Sequence, residues 1–166
     1  MKLLSEILDQ PYDFKEPRKI QMGKSTSGHM HMYNFKSPND KYEVEYNKSP
    51  SGTHSHMVFG SDKAGYGMSN SEGRNAHRVF STVLSTTKHY LQNNPDVKGI
   101  HFTGEKDSKG RNGTYDMLAK RFTTHTVDAD GNKKHNFTTT DKKDPNSDYA
   151  FKSYYIDRKH MKGVDD

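Results

Sequence analysis

The sequence predicts an α+β, or mixed α/β, domain: a central, mostly antiparallel sheet flanked by helices. Three observations predict it. Ala76, Val79, Phe80, Val83, Leu84, Thr87, Tyr90 and Leu91 fall on one stripe of a helix with 3.6 residues per turn. Tyr42, Val44 and Tyr46 alternate with Glu43 and Glu45, as on a strand with one buried face. The stretch 69–122 strings together a polar glycine turn, that helix, an apolar strand at 97–103 and a second helical stripe.

In order along the chain, Leu3, Leu4, Ile7 and Leu8 share a face of a short helix that Pro11 stops. Pro11, Pro17, Gly23 and the Ser-Thr-Ser-Gly run to Gly28 make 11–28 a loop. Strands are predicted at 29–35, 41–47 and 56–60, the first two joined by the turn sequence Ser37-Pro-Asn-Asp40. Asn70 or Ser71 is placed to cap the long helix, and Asn93-Asn94-Pro95 ends it. After strand 97–103 and a polar loop, Tyr115, Leu118, Ala119 and Phe122 stand at i, i+3, i+4 and i+7. The polar run 128–148 reads as an exposed loop, and the aromatic-rich run 149–157 as a last strand. The organisation is an N-terminal helix and loop over 1–28, one domain over 29–157 and a tail over 158–166.

With 29% hydrophobic residues and a mean hydropathy of −1.15, the chain has little apolar material. Aromatics at 11% compensate, so a small core of aromatics and methionine is expected. The formal charge of +5 suits either simple solubility or an anionic partner such as nucleic acid or a nucleotide. Arg74, Arg78 and Lys88 stand without an acidic residue between Gly73 and Pro95. The absence of cysteine excludes disulfides, thiolate metal sites and cysteine nucleophiles. No apolar run reaches the roughly 20 residues that span a bilayer. A cytoplasmic protein without membrane partners is therefore expected.

The element order resembles the GNAT family of N-acetyltransferases. That family opens its central helix with a Gln/Arg-x-x-Gly-x-Gly/Ala loop whose amides hold the acyl-CoA diphosphate. Asn70-Ser-Glu-Gly73-Arg-Asn75 stands at the equivalent place, with Gly73 matching, Asn75 departing and Ala76 one residue later. Arg111-Asn-Gly-Thr-Tyr115 through Phe122 looks like the helix that carries the family's general-acid tyrosine, with Arg121 where glycine is usual. The resemblance implies acetyl-CoA as cofactor, an amine acceptor, Tyr115 as the acid, and Gly73, Arg74, Asn75, Ala76 and Arg78 as the cofactor-binding residues. It also implies a V-shaped gap between the strand before Ser69 and strand 97–103. The polar, Asn- and Lys-rich composition further resembles small tailed-phage proteins, for which the setting is host cytoplasm or virion.

Each candidate has a plainer reading. The Gly73 turn offers helix N–H groups to a phosphate, yet Ser, Asn and Gly are also ordinary capping residues. Tyr115 suits proton donation to a leaving thiolate, yet packing with Leu118 and Phe122 explains its spacing. His29/His31 and His54/His56 each place two imidazoles on one strand face, and together they suggest a four-histidine metal site. Without supporting carboxylates, structural or solvent-facing histidines are the commoner outcome, and no metal is assigned. His101-Phe-Thr103 is a single His-x-Thr, half of a phosphoesterase pair. Glu43 and Glu45 are candidate bases for an amine, or simply exposed strand carboxylates. Three functions follow: an acetyl-CoA-dependent N-acyltransferase; a non-catalytic phage protein, in the virion or in host takeover; or a nucleic-acid binder.

Overall fold

The computed structural model describes residues 10–21, 28–66, 70–105, 113–143, 145–146 and 150–165. The strands are β1 (Arg18–Gln21), β2 (His29–Lys36), β3 (Lys41–Lys48), β4 (His54–Ser61) and β5 (Gly65–Tyr66). A 3-10 turn (Asn70–Asn75) then leads into α1 (Ala76–Asn93), followed by β6 (Gly99–Glu105) and α2 (Gly113–Phe122). The chain closes with β7 (His125–Val127), β8 (Lys133–His135), β9 (Thr138–Lys143), β10 (Ala150–Asp157) and a short 3-10 turn, Arg158–His160. The main sheet runs β1-β2-β3-β4-β6-β10-β9, with β5 on β4, and β7 and β8 form a separate hairpin.

Alternation sets the register. Tyr33 pairs with Val44, Val44 with Phe59, and Tyr46 with Met57, so buried residues line up across β2, β3 and β4. Ile100 and Phe102 continue the row opposite Ile156 and Tyr154 of β10. The β2–β3 turn closes through Ser37, whose Oγ accepts from the amides of Asn39 and Asp40 at 3.1 and 3.0 Å. Helix α1 buries Val79, Phe80, Val83, Thr87, Tyr90 and Leu91 of the stripe read from the sequence, and extends it with Thr82 and Thr86. Thr82 and Thr87 return their hydroxyls to the carbonyls of Arg78 and Val83, four residues back.

The core is built largely from tyrosines, and apart from the buried Tyr12 hydroxyl, which meets no hydrogen-bond partner among the described residues, their polar tips find one. Tyr46 meets Thr87 Oγ1 at 2.6 Å, Tyr33 meets His89 Nδ1 at 2.7 Å, and Tyr154 donates to Asp116 at 3.1 Å. Each ring contributes apolar area while its polar tip stays satisfied, so a hydrophilic composition still closes a core.

The expected helix-flanked sheet in acetyltransferase-like order is not what the chain adopts. It is mostly sheet, 44% strand against 26% helix, with two α-helices among the described residues. Both lie on one face of a mixed sheet: α1 packs on Tyr46 and Met57, and α2 on Phe59, Phe102 and Tyr154. The other face presents Glu43, Glu45, Asn47, Thr103 and Ser153, polar side chains among which Val58, Phe151 and Tyr155 are too scattered to seat a second helical layer.

Other expectations shift as well. The run 128–148, read as loop, contains β8 and β9 and follows β7 directly; β7 and β9 are exposed on both sides, so no alternation marked them. β1 forms inside the predicted loop 11–28. Met161 and Val164, in the predicted tail, are buried. The predicted N-terminal helix lies outside the described residues. No helix among the described residues is long and apolar enough to cross a membrane.

Candidate functional site

β4 and β6 are the sheet's one parallel pair among the described residues, joined by the crossover through α1. They pair only at His54↔Gly99, Ser55↔Ile100 and His56↔His101. Beyond that point β4 runs on to Ser61 and β6 to Glu105 without a ladder between them. β5 takes the β4 edge at Gly60 and Ser61, which leaves Met57–59 facing 102–105 across an opening.

Two glycines shape the two ends of β6. A Cβ on Gly99 would stand 2.5 Å from the His54 ring, so its absence lets the paired end close. A Cβ on Gly104 would run into the Tyr115 ring, 2.7 Å from Cγ. Glycine there lets Tyr115 lie directly on the strand, with ring centroids 5.8 Å from Phe102 on β6 and 6.5 Å from Phe59 on β4. Tyr115 thus bridges the two parting strands from the helical side. The sequence marks Tyr115; Gly104 falls in the stretch read as polar loop after strand 97–103, whereas β6 runs on to Glu105 and carries Gly104 under the ring.

The Gly73 turn sits at the same end. Glu72 is buried and accepts from Ser37 Oγ at 2.5 Å, Tyr42 OH at 2.7 Å and Asn39 Nδ2 at 3.4 Å. Tyr42 pairs with Ser61, the last residue of β4, so Glu72 fixes the turn beside the open end. Gly73 is exposed at φ 54°, a conformation glycine adopts without strain. The expected cap at Asn70 or Ser71 gives way to Asn75, which takes the N-cap position with no side-chain cap bond. Ala76 packs against the core. Arg78 turns elsewhere: its Nε donates to the Gln10 carbonyl at 2.8 Å, and its guanidinium lies 4.1 Å over the Tyr12 ring. The Arg74 side chain is outside the described set.

On the uncovered face, next to the opening, a cavity of about 230 Å³ is lined by Glu43, Glu45, Val58, Gly60, Ser61, Asp62 and Gly65. Burial, then the hydrogen bond and charge of Glu45, raise the Glu43 carboxyl above its ordinary range, against the pull of Arg18 at 3.6 Å.

The histidine pairs occupy opposite faces of the sheet. His29 and His31 stack at 4.5 Å on the core side, where His29 Nε2 meets Tyr90 OH at 2.7 Å. His54 and His56 lie on the uncovered side, His54 held by Asp157 at 3.0 Å and His56 stacked on His101. With β3 between β2 and β4, a joint four-histidine site has no geometry. No group of three or more His, Asp or Glu among the described residues is placed to hold a metal ion.

No family model, curated protein or solved structure matches this chain.

Proposed function

We infer that the protein holds an acyl-CoA thioester in the opening between β4 and β6 and transfers the acetyl group to an amine. The observation that carries this reading is the early end of the β4–β6 ladder with Tyr115 lying across the gap. Ligands of α/β sheets bind beyond the carboxyl ends of parallel strands, where the chain crosses over. Two facing strand edges without a ladder leave N–H and C=O groups in need of partners. An extended pantetheine arm, which carries amides of its own, supplies them. The diphosphate then meets the positive end of α1 and the exposed Gly73 turn. Backbone amides carry that contact, since Arg78 is engaged by Gln10 and Tyr12.

Tyr115 lies on the helical side of the opening, and Glu43 and Glu45 line the cavity on the uncovered side. The amine nitrogen attacks the thioester carbonyl, the C–S bond breaks, and the thiolate takes a proton from the Tyr115 phenol. The acceptor gives up its proton to Glu43, whose carboxyl is raised above its ordinary range by burial and the neighbouring Glu45, as suits a base.

The test is thermal unfolding with acetyl-CoA. At a hundredfold excess over Kd, binding adds about 2.7 kcal/mol, and at roughly 2–4 °C per kcal/mol for a chain of this size the midpoint rises by about 5–11 °C. Tyr115→Phe should keep that shift and lose turnover. An unchanged midpoint at millimolar acetyl-CoA refutes the reading.

A further inference from the structure

The uncovered face is divided electrostatically. Over β3 and β4 it carries Glu43, Glu45 and the acidic cavity. Over β6, β10 and β9 the side chains are rings, hydroxyls and a lysine. His56, His101 and Tyr155 stand in one row across three strands, with centroids 4.8 and 5.7 Å apart and ring planes 8° and 24° from parallel. Tyr155 ends the row at 39% exposed, and its neighbour on β9 is the short Thr138. Phe151, 37% exposed, lies four residues along the same face, about 13 Å away at strand rise. Thr103 and Ser153, joined at 2.8 Å, lie between the two rings, and Thr140 is next to Ser153 on β9. Lys142 pairs with Phe151 at the rim and is exposed, whereas Lys143, opposite Ala150, belongs to the other face. Asp157, the one carboxylate among the described side chains of this half, is held by His54. Burial, and for His101 the neighbouring imidazoles, keep His56 and His101 below the ordinary histidine pKa. Their ring edges therefore act at neutral pH as neutral donors and acceptors.

We propose that this half-face, over β6, β10 and β9, binds single-stranded nucleic acid, with bases stacking on Tyr155 and Phe151 and a phosphate meeting Lys142. Exposed rings along one strand, interleaved with hydroxyls and rimmed by a lysine, are the chemistry that recognises unpaired bases and their backbone. The hydroxyl rows make the surface too polar for a lasting contact with a second copy, whose interface would be more apolar. The carboxylates over β3 repel phosphate and confine the strand to this half. The proposal does not rest on the thioester reading: its side chains lie over β6, β10 and β9, with only Thr103 bordering the opening.

The test is fluorescence anisotropy with a short fluorescein-labelled oligothymidine, read as a function of salt. Binding is expected at low salt, and Tyr155→Ala and Phe151→Ala should each weaken it roughly tenfold or more. Lys142→Ala should reduce the slope of log K against log salt by about 0.7, and Lys143→Ala, on the other face, should leave it unchanged. Ultraviolet cross-linking of the unmodified protein should map to residues 150–157, which keeps the test valid should a variant misfold. Absence of binding at low salt, or binding indifferent to both ring variants, overturns the proposal. So does a wild-type dimer in sedimentation that the two ring substitutions dissociate, since a second copy would then occupy the face.

Discussion

Substituting Gly104 by Ala probes the contact that keeps the two parallel strands apart. The new methyl would arrive within 2.7 Å of Tyr115 Cγ, closer than real Cβ contacts come, so the ring or the strand must shift. Overpacking of this kind costs about 1–3 kcal/mol. Because the Gly104 backbone is not in the left-handed region, alanine also restricts the unfolded chain and returns about 0.4–1 kcal/mol. The net expectation is a loss of about 1–2 kcal/mol, or a midpoint lower by roughly 2–8 °C. The decisive measurement is a double-mutant cycle in urea. With Tyr115→Ala in place the ring contacts go and only the Cβ at 3.1 Å remains, so Gly104→Ala should lose most of its cost, giving a coupling of about 1–2 kcal/mol. An equal cost in both backgrounds would refute the reasoning, because the methyl would then be clashing with something other than the ring. Thermal unfolding with acetyl-CoA extends the cycle: displacing Tyr115 from the gap should shrink the ligand-induced shift even where the protein stays folded.

Three further outcomes follow from buried polar groups. Burial lowers the His31 pKa from 6.5 to about 4, so the unfolded chain binds the proton first and stability falls as pH drops from about 6.5 through 4. The loss approaches 3 kcal/mol at about 1.4 kcal/mol per unit, and urea midpoints at pH 7, 5 and 4 for wild type and His31→Gln should show it and then its removal. Glu72→Gln weakens the carboxylate's bonds to Ser37 and Tyr42 and should cost about 1–3 kcal/mol; retained stability in urea would argue against Glu72 as the anchor of the Gly73 turn. Tyr90→Phe strips the hydroxyl shared by Ser55 and His29, and calorimetry should find it about 1–2 kcal/mol less stable.

The strands β2, β3 and β4 and helix α1 were legible because each buries one side of a regular period. Tyr42, Val44 and Tyr46 face α1 while Glu43 and Glu45 face solvent, and hydropathy records that contrast. β7 and β9 have no such contrast, since water bathes both sides, and they were read as loop. The single helical layer was hidden for a related reason: alternation tells that one face of a strand is polar, but a helix count made from element order ignores it. Tyr115 was visible as a helical residue, whereas its place in the gap depends on Gly104, a contact between residues on separate elements. Glu72 looked like part of a capping turn, and only the hairpin packed against it shows the buried anchor.

Three residue pairs are all that join the β1–β4 half of the main sheet to the β6–β10–β9 half. That short seam is cross-braced at one end: Lys98 N donates to the Thr53 carbonyl at 2.7 Å, Arg158 N to the Lys98 carbonyl at 2.8 Å, and His54 grips Asp157. At the free end, among the described residues, only the Tyr115 ring spans the two halves, so a ligand entering there is expected to change the angle between them about the seam as a pivot. Slow amide exchange at Ser55 and Ile100 with faster exchange at Val58 and Thr103 would locate the pivot directly.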